Sequence, residues 1–160
     1  MIGVFDSGLG GLSVLGALAE TCPAADLVYA ADTAHVPYGN KTPEQIRARV
    51  LAMGQALLNE GCTALVVACN TATAEAIEAL RAAHPTIPVV GIEPGIKPAA
   101  LNTQSGHIAV LATAATANAL STAAEPATCR ARFDRFTVEA AGGTVMVSDV
   151  RSRRAFIALV

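Results

Sequence analysis

Tryptophan is absent from the 160 residues, and aromatic residues reach only 4%. Platforms for stacking nucleic-acid bases are therefore not expected. Charge is scarce as well: charged residues are 15% of the chain, with a formal net charge of -2 and no long run of either sign. That excludes the basic stripe of a nucleic-acid binder. No stretch of about 18 uninterrupted apolar residues occurs, so no membrane span is expected. The segment Met1-Ile2-Gly3-Val4-Phe5-Asp6 has no basic leader before its apolar run and does not read as a secretory signal. The four cysteines (Cys22, Cys62, Cys69 and Cys129) form no C-x-x-C pair, and the histidines His35, His84 and His107 lie far apart. Neither a zinc site nor a disulfide scaffold is expected, and the chain reads as cytoplasmic with reduced thiols.

What remains is an apolar chain, 52% hydrophobic and rich in alanine, long enough for one domain or one and a fraction. Short apolar runs alternate with longer helical patterns. Strands are expected at Ile2–Phe5, Leu27–Ala30, Ala64–Ala68, Pro88–Ile92 and Ile108–Ala112. Helical stretches are expected at Leu12–Glu20, from Thr42 to Gly61, and at Thr71–Ala83. The second opens with a capping box at Thr42 and Gln45, has Pro43 in the first position, and is stopped by Gly61. This alternation predicts an α/β fold with a mainly parallel sheet flanked by helices. Glycine and proline cluster over Gly91–Pro98, where a boundary is expected.

In such a sheet, ligands bind outside the carboxyl ends of the strands. The residues that follow each strand are Asp6-Ser7-Gly8-Leu9-Gly10-Gly11, then Asp32-Thr33 with Pro37-Tyr38-Gly39, then Cys69-Asn70-Thr71-Ala72-Thr73, then Glu93-Pro94-Gly95, then Thr113 and Thr116. They are small and polar, and no lysine or arginine stands among them. An anionic ligand would be held by hydroxyls, amides and helix N-termini. Ser13 stands where G-x-G-x-x-G needs its last glycine, and G-x-x-x-x-G-K-[ST] is missing, so a nucleotide site is disfavoured. The glycines also suit a plain strand-to-helix turn. Cys69 sits between a strand and a helix N-terminus, where the dipole and free N–H groups favour thiolate. From position alone a reactive and a structural cysteine both remain open. Tyr38 reads equally as a turn aromatic, Thr113 and Thr116 as helix caps, and His35 as a surface residue or one behind the site. Glu93 is given no proton-transfer role.

Taken in order, Asp6–Gly11, Pro37–Gly39, Ala68–Thr73 (Ala-Cys-Asn-Thr-Ala-Thr), Gly91–Pro94 (Gly-Ile-Glu-Pro) and Ala112–Thr116 (Ala-Thr-x-x-Thr) resemble the motifs of bacterial glutamate racemases. The likeness covers about the first 118 residues. It implies two α/β domains of similar architecture with the site between them: a first over residues 1–94 and an incomplete second over 95–160. It implies interconversion of L- and D-glutamate for peptidoglycan, without pyridoxal phosphate or metal. Two cysteines would face opposite sides of the α-carbon, one removing its proton as thiolate and the other returning one as thiol.

Carried over, Cys69 is one catalytic acid or base. Asp6, Ser7, Tyr38, Gly39, Asn70 and Thr71 would contact the substrate, and Thr113 and Thr116 would hold its carboxylate. The expected second cysteine belongs to a Gly-Cys-Thr-His segment, which these 160 residues do not contain; Cys129 lacks the Thr-His that should follow. Residues 119–160 depart from the family pattern, as a truncated or frameshifted reading frame would, and Arg151-Ser152-Arg153-Arg154 is newly basic. Exposed apolar surface would then favour a homo-oligomer. Two alternatives stand beside glutamate racemisation: an aspartate racemase, against which the Asp6–Gly11 and Pro37–Gly39 pieces speak, and a catalytically dead fragment that binds a dicarboxylate.

Overall fold

The computed structural model describes residues 1–104, 109–123, 136–141, 144–149 and 157–159. His107, Cys129, the Ala127–Arg130 segment and the basic run at 151–154 lie outside them. The chain divides into two compact units, Met1–Glu93 and Pro94–Val160.

The first unit is built on four strands, β1 (Ile2–Asp6), β2 (Leu27–Ala31), β3 (Ala64–Val67) and β4 (Val89–Gly91), all parallel and ordered β2-β1-β3-β4. Helix α1 (Leu12–Thr21) joins β1 to β2, α2 (Pro43–Asn59) joins β2 to β3, and α3 (Asn70–Ala83) joins β3 to β4. The period of two along each strand divides the side chains between two faces. Val4, Val66 and Ala68 point one way and pack with Val14, Leu15 and Leu18 of α1. Phe5, Leu65 and Val67 point the other way, into a larger core with Ile46, Val50 and Leu57 of α2 and Ala72, Ala76 and Leu80 of α3. Each fully buried Leu, Ile, Val or Phe there contributes about 1.5–3 kcal/mol by leaving water.

Local chemistry sets the ends of α2. Gln45 N–H donates to Thr42 Oγ1 (3.3 Å), and Thr42 N–H donates to Gln45 Oε1 (3.0 Å). Such a box is worth about 1 kcal/mol. At the other end Gly61 takes φ +89°. Its N–H donates to Leu58 O (3.0 Å), and Cys62 N–H donates to Leu57 O (3.1 Å). This is the paired bonding of a Schellman stop, and it drops Cys62 into the core.

The second unit holds α4 (Ile96–Asn102), β5 (Ala109–Leu111), α5 (Ala114–Ala123), β6 (Phe136–Ala141), β7 (Thr144–Asp149) and β8 (Ile157–Leu159). Strands β5 and β8 pair in parallel, and β6 and β7 pair antiparallel. The architecture is thus α/β and mainly parallel. Helix α4 occupies ground where only a Gly/Pro boundary was expected. Pro98 is its third residue, in the first turn, where no intrahelical N–H bond is lost.

Candidate active site

The strand order locates the site before any side chain is considered. From β1 the chain runs outward to β2, then passes back over β1 to β3 and on to β4. The helices that follow β1 and β3 lie on opposite faces of the sheet. Between these neighbours the topology switches, and a crevice opens at their carboxyl ends. The residues at that opening are Asp6-Ser7 after β1 and Cys69-Asn70 after β3.

Cys69 is the N-cap of α3, with extended backbone (φ -130°, ψ 117°). Its sulfur accepts from the Ala72 N–H at 3.4 Å, the bond a serine or aspartate cap usually takes. The thiol donates to Ser7 Oγ at 3.5 Å, and Ser7 Oγ donates to Asp6 Oδ1 at 3.3 Å. Asp6 Oδ2 accepts the Gly11 N–H at 2.9 Å, which closes the glycine-rich turn on the carboxylate. Tyr29 Oη donates to Gly8 O at 2.8 Å and ties the same turn to β2.

The electrostatics differ from the thiolate expected at a helix N-terminus. Burial pushes the Cys69 thiol up, and the neighbouring Asp6 charge adds to that. Bonds from Ser7 and the Ala72 N–H pull it down without prevailing. The helix end is where the sequence placed it, but the cost of burying a charge outweighs its field. At neutral pH Cys69 therefore rests as a thiol.

Only one glycine of the turn is required by packing. A Cβ on Gly11 would stand 2.8 Å from Ala68 Cβ and 2.9 Å from Asp6 Cβ. At Gly8 and Gly10 it would meet nothing nearer than 3.6 Å and 3.5 Å, and neither has positive φ. The fold of the turn does not account for these two.

Tyr38 is buried in the core that also contains Cys69. Its hydroxyl donates to Asp32 Oδ2 at 2.7 Å. Arg49 of α2 grips Asp32 with both prongs, Nε to Oδ2 and Nη2 to Oδ1, each at 2.9 Å. His35 Nδ1 lies 2.8 Å from Asp32 Oδ1. Burial raises the Asp32 carboxyl, but the bonds from Arg49, Tyr38 and His35 overcome it and hold it at about 2. Burial and the Asp32 charge drive the Tyr38 hydroxyl above its ordinary range, so it stays neutral. This network was not foreseen. Arg49 comes from a helix rather than a strand end, and its charge is spent on Asp32.

Asn70 Oδ1 is a buried acceptor without a hydrogen-bond partner among the described residues. Thr71 is buried beside it at the start of α3. In the second unit, Thr113 Oγ1 accepts the Thr116 N–H at 3.3 Å and lies 3.1 Å from Thr116 Oγ1, at the start of α5. Thr113 thus does the work of a cap, and Thr116 is buried. Glu93 is exposed. Among the described residues no three of His, Cys, Asp or Glu gather as metal ligands, and no helix is long and apolar enough to cross a membrane.

Known proteins resemble this chain in sequence and in fold. The chain is 52% identical over 115 residues to the glutamate racemase of Stutzerimonas stutzeri, covering 72% of this chain and 44% of that protein. It is 53% identical over 115 residues to the glutamate racemase of Pseudomonas aeruginosa, covering 72% and 43%. The Aquifex pyrophilus glutamate racemase superposes with a TM-score of 0.66 at 42% identity, covering 75% of this chain and 48% of that one. The Escherichia coli enzyme, solved with L-glutamate and the activator UDP-MurNAc-Ala, gives 0.68 at 42% identity, covering 73% and 44%. The chain therefore spans less than half the length of the curated relatives it matches. The pattern of the Asp/Glu/Hydantoin racemase family extends over residues 2–154, well past the point where the glutamate racemase motifs stop, and the chain belongs to that family.

Proposed function

We propose that this chain carries the Cys69 half of a cofactor-independent glutamate racemase site, one that interconverts L- and D-glutamate for peptidoglycan synthesis in the cytoplasm. The observation that carries the reading is the thiol of Cys69 at the switch point of the sheet, on a helix N-terminus and bonded to Ser7. Ser7, Asn70 and Thr71 supply neutral donors around it, and the unpartnered Asn70 Oδ1 suits an ammonium group. Tyr38 and Gly39, on the loop that follows β2, are read as further substrate contacts. The space over Gly8 and Gly10 lets a ligand approach the main chain. The resemblance assigns Thr113 and Thr116 to a substrate carboxylate, and Asp6 orients Ser7 and the turn.

An amino-acid α-proton is weakly acidic, so the site must stabilise a carbanion-like state with donors already in place. A cation beside the thiol would hold the thiolate in an ion pair, and Arg49 is engaged by Asp32 instead. A resting thiol suits Cys69 to return a proton to the α-carbon; its thiolate, formed in turn, removes one from the other enantiomer. The opposite face needs a second group, which the resemblance assigns to a cysteine of a Gly-Cys-Thr-His segment.

A second reading is binding of a dicarboxylate without turnover. It is favoured by the burial of the Cys69 thiol, which keeps the proton on sulfur and disfavours a thiolate base. One experiment separates the two. The chain is incubated with L- and D-glutamate separately in deuterated water. Proton NMR follows loss of the α-proton, and circular dichroism follows inversion. Exchange with inversion, abolished in Cys69→Ser, supports the racemase. Exchange of one enantiomer alone means that Cys69 works as a solitary base. No exchange by a folded, monodisperse sample that still binds glutamate leaves only the second reading. The same assay with aspartate tests the related specificity.

A further inference from the structure

We propose that Asp32 is a positioning hub that locks the Pro37–Gly39 backbone in place for substrate binding, acting through Tyr38 and braced by Arg49. This rests on the reading of Tyr38 and Gly39 as substrate contacts.

Asp32 leaves the carboxyl end of β2, and its N–H donates to Asp6 O at 3.0 Å, so its backbone is fixed to β1. Its side chain is 5% exposed, and every direction in which it could accept is taken. Oδ2 receives Tyr38 Oη and Arg49 Nε; Oδ1 receives Arg49 Nη2 and faces His35 Nδ1. A carboxylate so saturated has no lone pair left for a substrate, and it is not a proton-transfer group. The same reasoning applies to Tyr38. Its hydroxyl is committed to Asp32 and the whole residue is 2% exposed, so it holds the loop from beneath while the exposed Gly39 beside it is open to a ligand. The tyrosine is an anchor driven into the core beneath its own loop.

The bracing comes from three elements. Arg49 projects from α2, Asp32 follows β2, and Tyr38 begins the short turn Tyr38–Asn40. A bidentate guanidinium fixes both the position and the plane of the carboxylate, which a lysine cannot do. The Tyr38 hydroxyl then meets an acceptor that cannot swing. Ordering this loop beforehand means that the ligand does not bear the entropy of ordering it.

The test uses the full chain and the variants Tyr38→Phe, which deletes one oxygen, and Arg49→Lys, which keeps the charge and loses the fork. Amide hydrogen exchange is followed over residues 36–41, with α2 as the internal control for global destabilisation. L-glutamate affinity, KM and kcat are measured on the same samples. Tyr38→Phe is expected to speed exchange in 36–41 by about tenfold, the scale of a local opening, with α2 unchanged. KM for glutamate should rise more than kcat falls, and Arg49→Lys should show the same pattern more weakly. Unchanged exchange in 36–41 would overturn the proposal. Faster exchange with unaltered glutamate affinity would overturn it too, because the loop would then be held for some other purpose. If the wild-type chain binds no glutamate, the racemase reading falls, and the exchange data still decide whether Asp32 holds the loop.

Discussion

The two ends of β3 carry the same residue type in opposite settings. Cys62 precedes the strand at the amino edge of the sheet, and Cys69 follows it at the carboxyl edge. Both thiols are buried, and burial pushes both up. Cys62 closes the Schellman stop of α2 and packs with Leu57 over Gly3, where an added Cβ would stand 3.0 Å from the Cys62 sulfur and 3.0 Å from Leu57 Cδ1. It sits at the negative end of a helix dipole, in the opposing fields of the amino terminus and Glu60. Cys69 begins α3, at the positive end, with Ser7 and the Ala72 N–H against its sulfur. Burial is thus a poor sign of inertness. The end of the helix and the hydrogen bonds at the sulfur separate packing from chemistry.

The largest test of that contrast exchanges one atom at each end. Cys69→Ser is expected to reduce α-proton exchange of glutamate by about 10²–10⁴-fold, the usual worth of a positioned acid–base group. It should cost little stability, because a hydroxyl is a better helix cap than a thiol. Cys62→Ser should do the reverse, keeping the chemistry while losing about 1–3 kcal/mol in urea unfolding for a buried hydroxyl without a partner. If Cys62→Ser proves the more damaging to exchange, the two ends have been misassigned.

Glycines offer the next test, now within the carboxyl edge. Gly11→Ala should lose about 1–3 kcal/mol, because the new methyl meets Ala68 and Asp6 well inside contact distance. Gly10→Ala should be nearly neutral in unfolding, yet weaken glutamate binding if its open space serves the ligand. Equal melting temperatures for the two variants would show that the turn relaxes around Gly11.

How far the sequence alone reaches can be judged from the same strand. The ends of α2 were readable because their determinants are local: Thr42 and Gln45 three residues apart, and Gly61 where a left-handed residue is needed. The strands were readable to within a residue or so; β3 ends at Val67 rather than Ala68, although the Ala68 N–H still donates to Phe5 O at 2.7 Å. The position of Cys69 on a helix N-terminus followed from strand–helix alternation. Its raised thiol did not, since burial depends on Ala72, Tyr38 and the rest of the α3 side of the core arriving from elsewhere in the chain. The Arg49–Asp32 pair spans 17 residues and two elements, and it left one faint trace: Arg49 falls one helical turn after Ile46 on a face that is otherwise apolar. The strands β6, β7 and β8 were not read at all: Phe136-Thr137-Val138-Glu139-Ala140 does alternate apolar and polar, but the segment lies where the chain departs from the glutamate racemase motifs.

Acid distinguishes the edges by a smaller margin. Asp32 and Asp6 are buried at the carboxyl edge, whereas Asp26 at the amino edge is exposed. The Asp32 carboxyl is held at about 2, against 3.8 when unfolded. A depressed carboxyl stabilises the fold at every pH above its unfolded value, and the gain drains away as pH falls toward the folded value. About 2 kcal/mol should therefore be lost between pH 4 and pH 2. In Asp32→Asn that slope should flatten, from a lower starting stability. An unchanged slope would mean that Arg49 and Tyr38 do not hold the carboxylate in solution.

The smallest effect concerns the thiols themselves. Iodoacetamide reacts with thiolate, so its rate reports both exposure and ionisation. Cys22 is exposed and should be modified first. Cys69 should follow through local opening at the start of α3, and its rate should keep climbing by about tenfold per pH unit past pH 9 rather than levelling off there, because burial holds the proton on sulfur. Cys62 has no such route. It lies under the α2 stop and over Gly3, so it should react only when the unit unfolds, at a rate that tracks urea in step with global stability. Peptide mapping after timed alkylation distinguishes the three. Should Cys62 and Cys69 react together and with one urea dependence, the carboxyl edge would be no more open than the amino edge. The crevice between β1 and β3 would then lack the access that a substrate requires.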